Sequence, residues 1–391
     1  MIEIMKKKFF LPDLKGYFNR TDKVFWIISA SISLYSLLLL LSVSRNSEFS
    51  YFKVQLFSII LGYLGAFLIT KSDYRVIAKY WYIVAGVCIF LILCTFAFGS
   101  AVTGNSGVDA KAWIKLPGGV TFQPSELAKI GFIISFSKHL SILQENGELK
   151  YFSKIALLGV HALVPAVLTH LQGDDGAAII FFCMFLVMAF AAGIQLRYFA
   201  GILVAMALSI PILWKYVFAE YQKQRLLSQL NPNADPLGVG FQQIQGKLSI
   251  GSGKFFGQGL FQGPRVGYGA VPIQQSDFIF SAAGEELGFI GCLLIILLLS
   301  ALVFRTLQIS YKSSDSLGSF ICFGFFGMIV SQAIFNLGMC LSLLPVMGVT
   351  LPFFSAGGSS AACLYFGLGL VQSVFMQIND EAMVETYEDQ V

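Results

Sequence analysis

The chain has 391 residues, of which 56% are hydrophobic and 12% charged, with a formal net charge of +4. A soluble domain carries about 25% charged residues, so half the usual solvating surface is missing. The same composition excludes disordered, coiled-coil and disulfide-rich secreted classes, and what remains is an all-α polytopic membrane protein. Its 38 Phe residues suit a lipid-facing surface. Cys88, Cys94, Cys183, Cys292, Cys322, Cys340 and Cys363 all lie in apolar runs with no C-x-x-C pair, and read as small hydrophobes. The charge is too weak and too scattered for a nucleic-acid surface. His139, His161 and His170 are too far apart in sequence to suggest a His-based metal site.

Crossing about 30 Å of hydrocarbon takes roughly 20 apolar residues. Ten such runs occur, at 24–43, 52–70, 80–98, 125–143, 152–170, 177–192, 197–218, 278–304, 316–340 and 350–378. The sixth is short and the ends of the last two are approximate, so the range is eight to ten. Residues 1–23 are expected to be a basic cytoplasmic N-terminus (Lys6, Lys7, Lys8, Lys15, Arg20, Lys23). No small-residue cleavage site follows the first apolar run, which marks a first span and not a removable signal. With the N-terminus inside, fifteen Lys and Arg fall on the cytoplasmic side against four (Arg45, Lys53, Lys111, Lys115) in the short outer loops. That bias places both termini in the cytoplasm. Residues 24–378 then form one transmembrane domain, with 379–391 a cytoplasmic acidic tail.

Two outer loops depart from a plain bundle. Loop 99–122 holds Trp113 in Trp-Ile-Lys-Leu-Pro, a pattern suited to the headgroup level. The extracytoplasmic loop 219–276, between spans seven and eight, is rich in Gly and Gln. It is expected to fold back on the outer membrane face, partly as amphipathic helix.

Ionisable groups inside spans cost at least about 2.5–3.5 kcal/mol each on insertion scales and are functional candidates by default. In Gln123-Pro-Ser-Glu-Leu-Ala-Lys129, Pro124 suits a first helical turn, and Glu126 and Lys129 share one helical face and can pair. Such a pair can be structural, functional or both. Gln172-Gly-Asp-Asp-Gly176 reads as a turn. In Gln274-Gln-Ser-Asp277, where the long loop re-enters the membrane, Asp277 is either a desolvated base or, with Ser276, a helix N-cap. Glu285 and Glu286, in Gly284-Glu-Glu-Leu-Gly288, are a further candidate of this kind; two adjacent carboxylates in an apolar setting rarely ionise together, and their structural reading is pairing with a basic residue. Leu351-Pro-Phe-Phe-Ser-Ala-Gly-Gly-Ser-Ser360 opens the last span with groups suited to close helix approach near a cavity, and Asn336 and Ser355 add hydrogen-bonding side chains. No P-loop, Rossmann fingerprint, Gly-x-Ser-x-Gly elbow or metal ligand set is present.

Together these segments resemble the SEDS family, the RodA/FtsW/SpoVE proteins of bacterial wall growth and division. The resemblance spans about 26–375 and rests on Ala112-Trp-Ile, Phe122-Gln-Pro-Ser-Glu-Leu-Ala-Lys129, Asp235-Pro-Leu-Gly-Val-Gly240, Ile250-Gly-Ser-Gly253, Ser276-Asp-Phe-Ile-Phe280, Gly284-Glu-Glu-Leu-Gly288 and Gly357-Gly-Ser-Ser360. Within it, Gln245-Gly-Lys-Leu-Ser-Ile-Gly-Ser-Gly253 and the short tails look more like the RodA branch than FtsW. Three positions depart from the pattern: Ala112 stands where the family usually has Arg, with Lys111 beside it as a stand-in. Gln274 and Gln275 precede Ser276-Asp277, and Ala356 replaces Tyr.

The resemblance implies a peptidoglycan glycosyltransferase joining lipid II disaccharides with inversion and release of undecaprenyl pyrophosphate, in elongation and cell-shape maintenance. A lipid II flippase and a division-specific FtsW-type polymerase are the alternatives. It implies Asp277 as the catalytic base and Glu126 and Lys129 as paired residues of a central cavity. Lys111, Trp113, Lys247, Lys254 and Arg265 would help bind substrate. A divalent cation, Mg2+ or Mn2+, could share the work on pyrophosphate, although no ligand set identifies one. The implied partners are a class B penicillin-binding protein and other elongation-complex membrane proteins, and the implied location is the bacterial inner membrane.

Overall fold

The computed structural model describes residues 14–45, 51–103, 109–115, 121–216, 218–230 and 240–388. Lys6, Lys7, Lys8, residues 116–120 and the 235–239 part of the Asp-Pro-Leu-Gly-Val-Gly motif lie outside the described residues. The chain is a helical membrane protein. Its helices are α1 (Leu14–Arg20), α2 (Lys23–Val43), α3 (Tyr51–Lys71), α4 (Tyr74–Lys79), α5 (Trp81–Phe98), α6 (Pro124–Glu145), α7 (Phe152–Leu171) and α8 (Asp175–Ala191). They continue as α9 (Leu196–Tyr216), α10 (Glu220–Leu230), α11 (Phe241–Ser252), α12 (Pro264–Gly267), α13 (Ile279–Lys312), α14 (Ser316–Cys340) and α15 (Gly358–Glu388).

Each of the ten apolar runs overlaps one helix. Among the described residues, eight (α2, α3, α5, α7, α9, α13, α14 and α15) are long and apolar enough to cross a bilayer, and α8 is shorter. The charged residues of α6, among them Glu126, Lys129 and Glu145, dilute its apolar character, yet it is deeply buried. By contrast α9 buries none of its side chains.

Two boundaries differ from the sequence reading. Helix α13 continues past the apolar run to Lys312, and Arg305 in this extension pairs with Asp22. The last helix starts only at Gly358, since 341–357 is irregular, with left-handed backbone at Ser342, Gly348 and Phe353. A third departure is loop 99–122, which forms an antiparallel sheet in the order β1 (Ser100–Thr103), β2 (Asp109–Lys115), β3 (Thr121–Phe122). Pairing of Ser100 with Trp113 and of Ile114 with Phe122 fixes its register. In the 219–276 segment lie α10, α11 and α12.

Close helix contact relies on small residues at a few points. α15 packs most extensively on α3, and a Cβ at Gly369 would stand 2.7 Å from Ala66 Cα. At Gly288 (φ 65°, ψ −157°) α13 kinks, a backbone that only glycine adopts readily. The carbonyls freed around the kink are taken up by the loop after α11: Gln258 N and Gly259 N donate to Glu285 O and Glu286 O, both at 2.9 Å. Non-helical backbone at this depth survives only when its polar groups are satisfied in this way.

At the opposite end of the bundle the same requirement is met by Asp22, 3% exposed. It accepts from Val24 N and Phe25 N, pairs with Arg305 at 2.5 Å, and its backbone exchanges two hydrogen bonds with the Gln372 amide. Arg20–Asp380 is a far more solvated pair. Asp22→Ala is therefore expected to lower the melting temperature in detergent much more than Asp380→Ala. Breaking a buried pair costs about 3–5 kcal/mol and breaking a surface pair about 0–1 kcal/mol. Equal losses would show that Asp22 is not a keystone of this end.

Candidate active site

The end of the bundle that carries the sheet and the 219–276 segment holds a cavity of about 450 Å³. Its wall is assembled from helix beginnings and irregular segments. Gln123, Glu126 and Lys129 come from the start of α6, Asp174 from the turn before α8, and Arg225 from α10. The turn before α13 supplies Asp277, β2 supplies Trp113, and Gly357–Ser360 come from the start of α15.

The paired charges are buried. Lys129 Nζ lies 2.9 Å from Glu126 Oε2, with the two side chains only 2% and 8% exposed. Pro124 in the first turn of α6 and the i, i+3 spacing create this pair. Asp174 is the N-cap of α8: one carboxylate oxygen accepts from Ala177 N at 2.9 Å. The other accepts from Gln123 Nε2 at 2.7 Å and Ser125 Oγ at 3.2 Å. One side chain thus joins the beginnings of α6 and α8.

Asp277 is not a cap. The N-cap of α13 is Phe278, which makes no side-chain cap bond, and Asp277 instead accepts a hydrogen bond from Ser276 Oγ at 3.0 Å. Burial, with a smaller contribution from the neighbouring Asp174, raises its carboxyl to about 6 against the lowering effects of Ser276 and Arg225. Burial also raises Asp174, opposed by the Ala177 N–H and by Lys129. These shifts follow from taking the charged form out of water.

The other expected site residues lie elsewhere. Trp113 lines the cavity. Lys111 does not: its side chain is exposed, and its backbone N donates to Gln172 O at 3.1 Å. Lys247 and Lys254 are exposed, and the Lys254 carbonyl accepts from Phe289 N beside the kink of α13. The Arg265 guanidinium is held by Ser249 Oγ at 3.0 Å and by the Gln245 side chain. None of the three lines the cavity. Glu285 and Glu286 do not pair with a basic side chain among the described residues. Glu285 accepts from Arg265 N and Glu286 from Ser42 Oγ, so Glu285 fastens the long loop, and Glu286 fastens α2, to the kinked start of α13.

Two cavity residues escaped the sequence reading as such. Asp174 is both turn and cavity wall. A cue was Gly176, where a Cβ would meet Met347 O at 2.7 Å, marking close approach to another segment. Arg225 sits in a polar helix whose spacing gives no hint of what it faces.

A divalent ion needs carboxylates with free oxygens. Both Asp174 oxygens are engaged, and among the described residues no three His, Cys, Asp or Glu side chains gather as a ligand group. Among the described residues, therefore, no dedicated all-protein Mg2+ or Mn2+ site is formed.

The FtsW/RodA/SpoVE cell cycle protein family matches residues 22–380. The chain belongs to this family. It is 33% identical over 366 residues to the probable peptidoglycan glycosyltransferase FtsW of Geobacter metallireducens, covering 91% of this chain and 95% of that protein. It is 32% identical over 368 residues to the peptidoglycan glycosyltransferase MrdB of Escherichia coli K12, covering 93% and 96%. Among solved structures it is similar to a chain of a peptidoglycan synthase complex that coordinates polymerization and crosslinking (TM-score 0.77, 28% identity, 92% and 98% covered). It is also similar to the rod shape determining protein RodA of Thermus thermophilus (TM-score 0.67, 27% identity, 91% and 96% covered).

The direction of the Asp277 shift carries a stability consequence. A carboxyl raised in the fold contributes stability below its ordinary pKa, and that stability is lost as pH rises through about 6. At pH 7.5 the ionised form is disfavoured in the fold, so Asp277→Asn is expected to melt a few degrees above wild type there, by a smaller margin at pH 5, and at nearly the same temperature only once the pH falls below the ordinary Asp pKa of about 4. An advantage that does not grow between pH 5 and 7.5 would contradict the desolvated state of this carboxyl.

Proposed function

We infer that this chain is a peptidoglycan glycosyltransferase that joins lipid II disaccharides into glycan strands. The observation that carries the reading is the Asp277 carboxyl, raised by burial and set in one cavity with Glu126, Lys129, Asp174 and Arg225. The chain belongs to a family whose relatives bear that activity in their names.

The chemistry needs one base and positive charge. As the attacking hydroxyl oxygen bonds to the anomeric carbon, its proton passes to Asp277 and the bond from that carbon to the pyrophosphate breaks. The electron pair leaves with the pyrophosphate oxygen. One displacement inverts the carbon, so no second, nucleophilic carboxylate is needed. A base near pKa 6 is ionised at neutral pH and more proton-hungry than an ordinary Asp. Lys129 and Arg225 are the cavity cations suited to meet the departing charge, and Trp113 offers a face for a sugar ring. Glu126 holds Lys129 in place, and Asp174 holds the walls.

The excess of Lys and Arg in segments on one side supports an inner-membrane protein with both termini cytoplasmic. The cavity then lies on the outer side. A flippase would need related groups toward both faces, whereas these gather at one end. Likeness to a chain of a synthase complex supports a class B penicillin-binding protein as partner. Identities of 33% to an FtsW and 32% to MrdB do not separate division from elongation, and Lys247 in its Gln-Gly-Lys-Leu-Ser setting favours elongation.

Purified protein with its cognate transpeptidase is expected to polymerise labelled lipid II, while Asp277→Ala and Asp277→Asn remain folded and make no strands. The wild-type kcat/KM is expected to fall with pH through an acid limb near 6, since only the ionised carboxylate accepts the proton. Folded, fully active Asp277 variants would remove the residue from the chemistry.

A further inference from the structure

Asp277 stands on a turn with no helix of its own, so its aim depends on what grips that turn. Three successive carbonyls are each held by a donor from a distant part of the chain. Gln275 O accepts from Ala356 N at 2.8 Å, Ser276 O from Ser355 Oγ at 2.5 Å, and Asp277 O from Asn336 Nδ2 at 2.9 Å. The second Asn336 amide bond goes to Val349 O at 2.7 Å. Ser355 Oγ in turn accepts from Leu351 N at 2.8 Å. Asn336 therefore fastens the Asp277 turn and the irregular 341–357 segment to α14 and to each other.

Helix propensity and packing do not account for an amide at this position. Asn is a poor helix former, and burying an amide costs free energy unless it is hydrogen-bonded. Asn336 is 0% exposed in a long apolar helix, where Leu would fill a similar volume. Both amide bonds leave its own helix for carbonyls that no helix or strand satisfies. Neither Asn336 nor Ser355 lines the cavity, so any effect on chemistry must pass through the turn. The far side of 341–357 is gripped as well, by Gln229 Nε2 on Ser342 O and Gln243 Nε2 on Leu344 O, both at 2.7 Å.

We propose that Asn336, assisted by Ser355, is a positioning residue that fixes the Asp277 carboxylate toward the cavity by locking its turn to the 341–357 segment. The proposal rests on the reading of Asp277 as the base.

The test compares wild type, Asn336→Leu, Ser355→Ala and Asp277→Asn, each with the cognate class B penicillin-binding protein and labelled lipid II. Rates are taken per mole of folded, monodisperse protein. A misplacement of about 1 Å costs on the order of 100-fold in rate. Asn336→Leu is therefore expected to lower kcat about 10- to 100-fold with KM within about twofold of wild type. Ser355→Ala is expected to lower kcat less, in the same pattern, because Asn336 still holds the turn.

A wild-type kcat in folded Asn336→Leu overturns the proposal, as does a rise in KM with kcat unchanged. A deficit that vanishes when rates are scaled to folded protein shows a purely structural role and also overturns it. If Asn336→Leu yields no folded protein, Ser355→Ala decides, and a wild-type kcat there overturns the lock. Strand synthesis by Asp277→Asn would instead overturn the base assignment, separately from the behaviour of Asn336.

Discussion

A charge inside a membrane bundle must find its partner within the chain, and this constraint shapes the molecule. Moving an ion into a low-dielectric interior costs several kcal/mol even after relaxation, and lipid offers no hydrogen bonds in return. The helix with the most to hide is α6, whose Glu126 and Lys129 neutralise each other at 2.9 Å. It accordingly lies among α5, α7, α14 and α15, while the uncharged middle of α9 buries nothing. Burial here follows the need for partners more than apolarity, the reverse of a soluble core.

The same constraint explains where irregular backbone is tolerated. The kink at Gly288, the 341–357 segment and the turn at Asp277 all leave carbonyls without helical partners. Each is answered by a named donor: Gln258 N and Gly259 N at the kink, Gln229 and Gln243 on the outer flank, Asn336, Ser355 and Ala356 on the inner one. The Gln-rich 219–276 segment is thus not a passive loop. Its helices α10 and α11 supply amide side chains to a part of the bundle that cannot satisfy itself, and α10 brings Arg225 to the cavity.

What the sequence made legible follows from which signals are local. Apolar runs located the helices, since span length depends on hydrocarbon thickness alone. Glu126, Lys129 and Asp277 stood out because each breaks an apolar pattern where a partner must exist. Arg225 sits in an already polar stretch and breaks nothing. Asp174 was hidden differently, because Gly-Asp-Asp-Gly satisfies a turn and an N-cap fully, and its bonds to Gln123 and Ser125 are long-range. Lys247, Lys254 and Arg265 looked like anion binders by charge, yet charge does not say which way a side chain points. The sheet of β1, β2 and β3 was missed because Trp-Ile-Lys-Leu-Pro suits an interface as well as a strand.

The base assignment gains its chemical sense from the balance around Asp277. A carboxylate in water is too weak a base to draw a proton from a sugar hydroxyl, and one buried alone would stay protonated at neutral pH. Burial and the nearby Asp174 push Asp277 upward, while Ser276 and Arg225 pull it back, leaving it near 6. That places it above an ordinary Asp in proton affinity and still ionised at neutral pH. Such a balance depends on groups brought together from three separate segments: the α8 cap, α10 and the Asp277 turn. Loosening the turn would return the carboxylate toward water and toward an ordinary pKa, so the hydrogen bonds that hold it act on the chemistry and the fold at once.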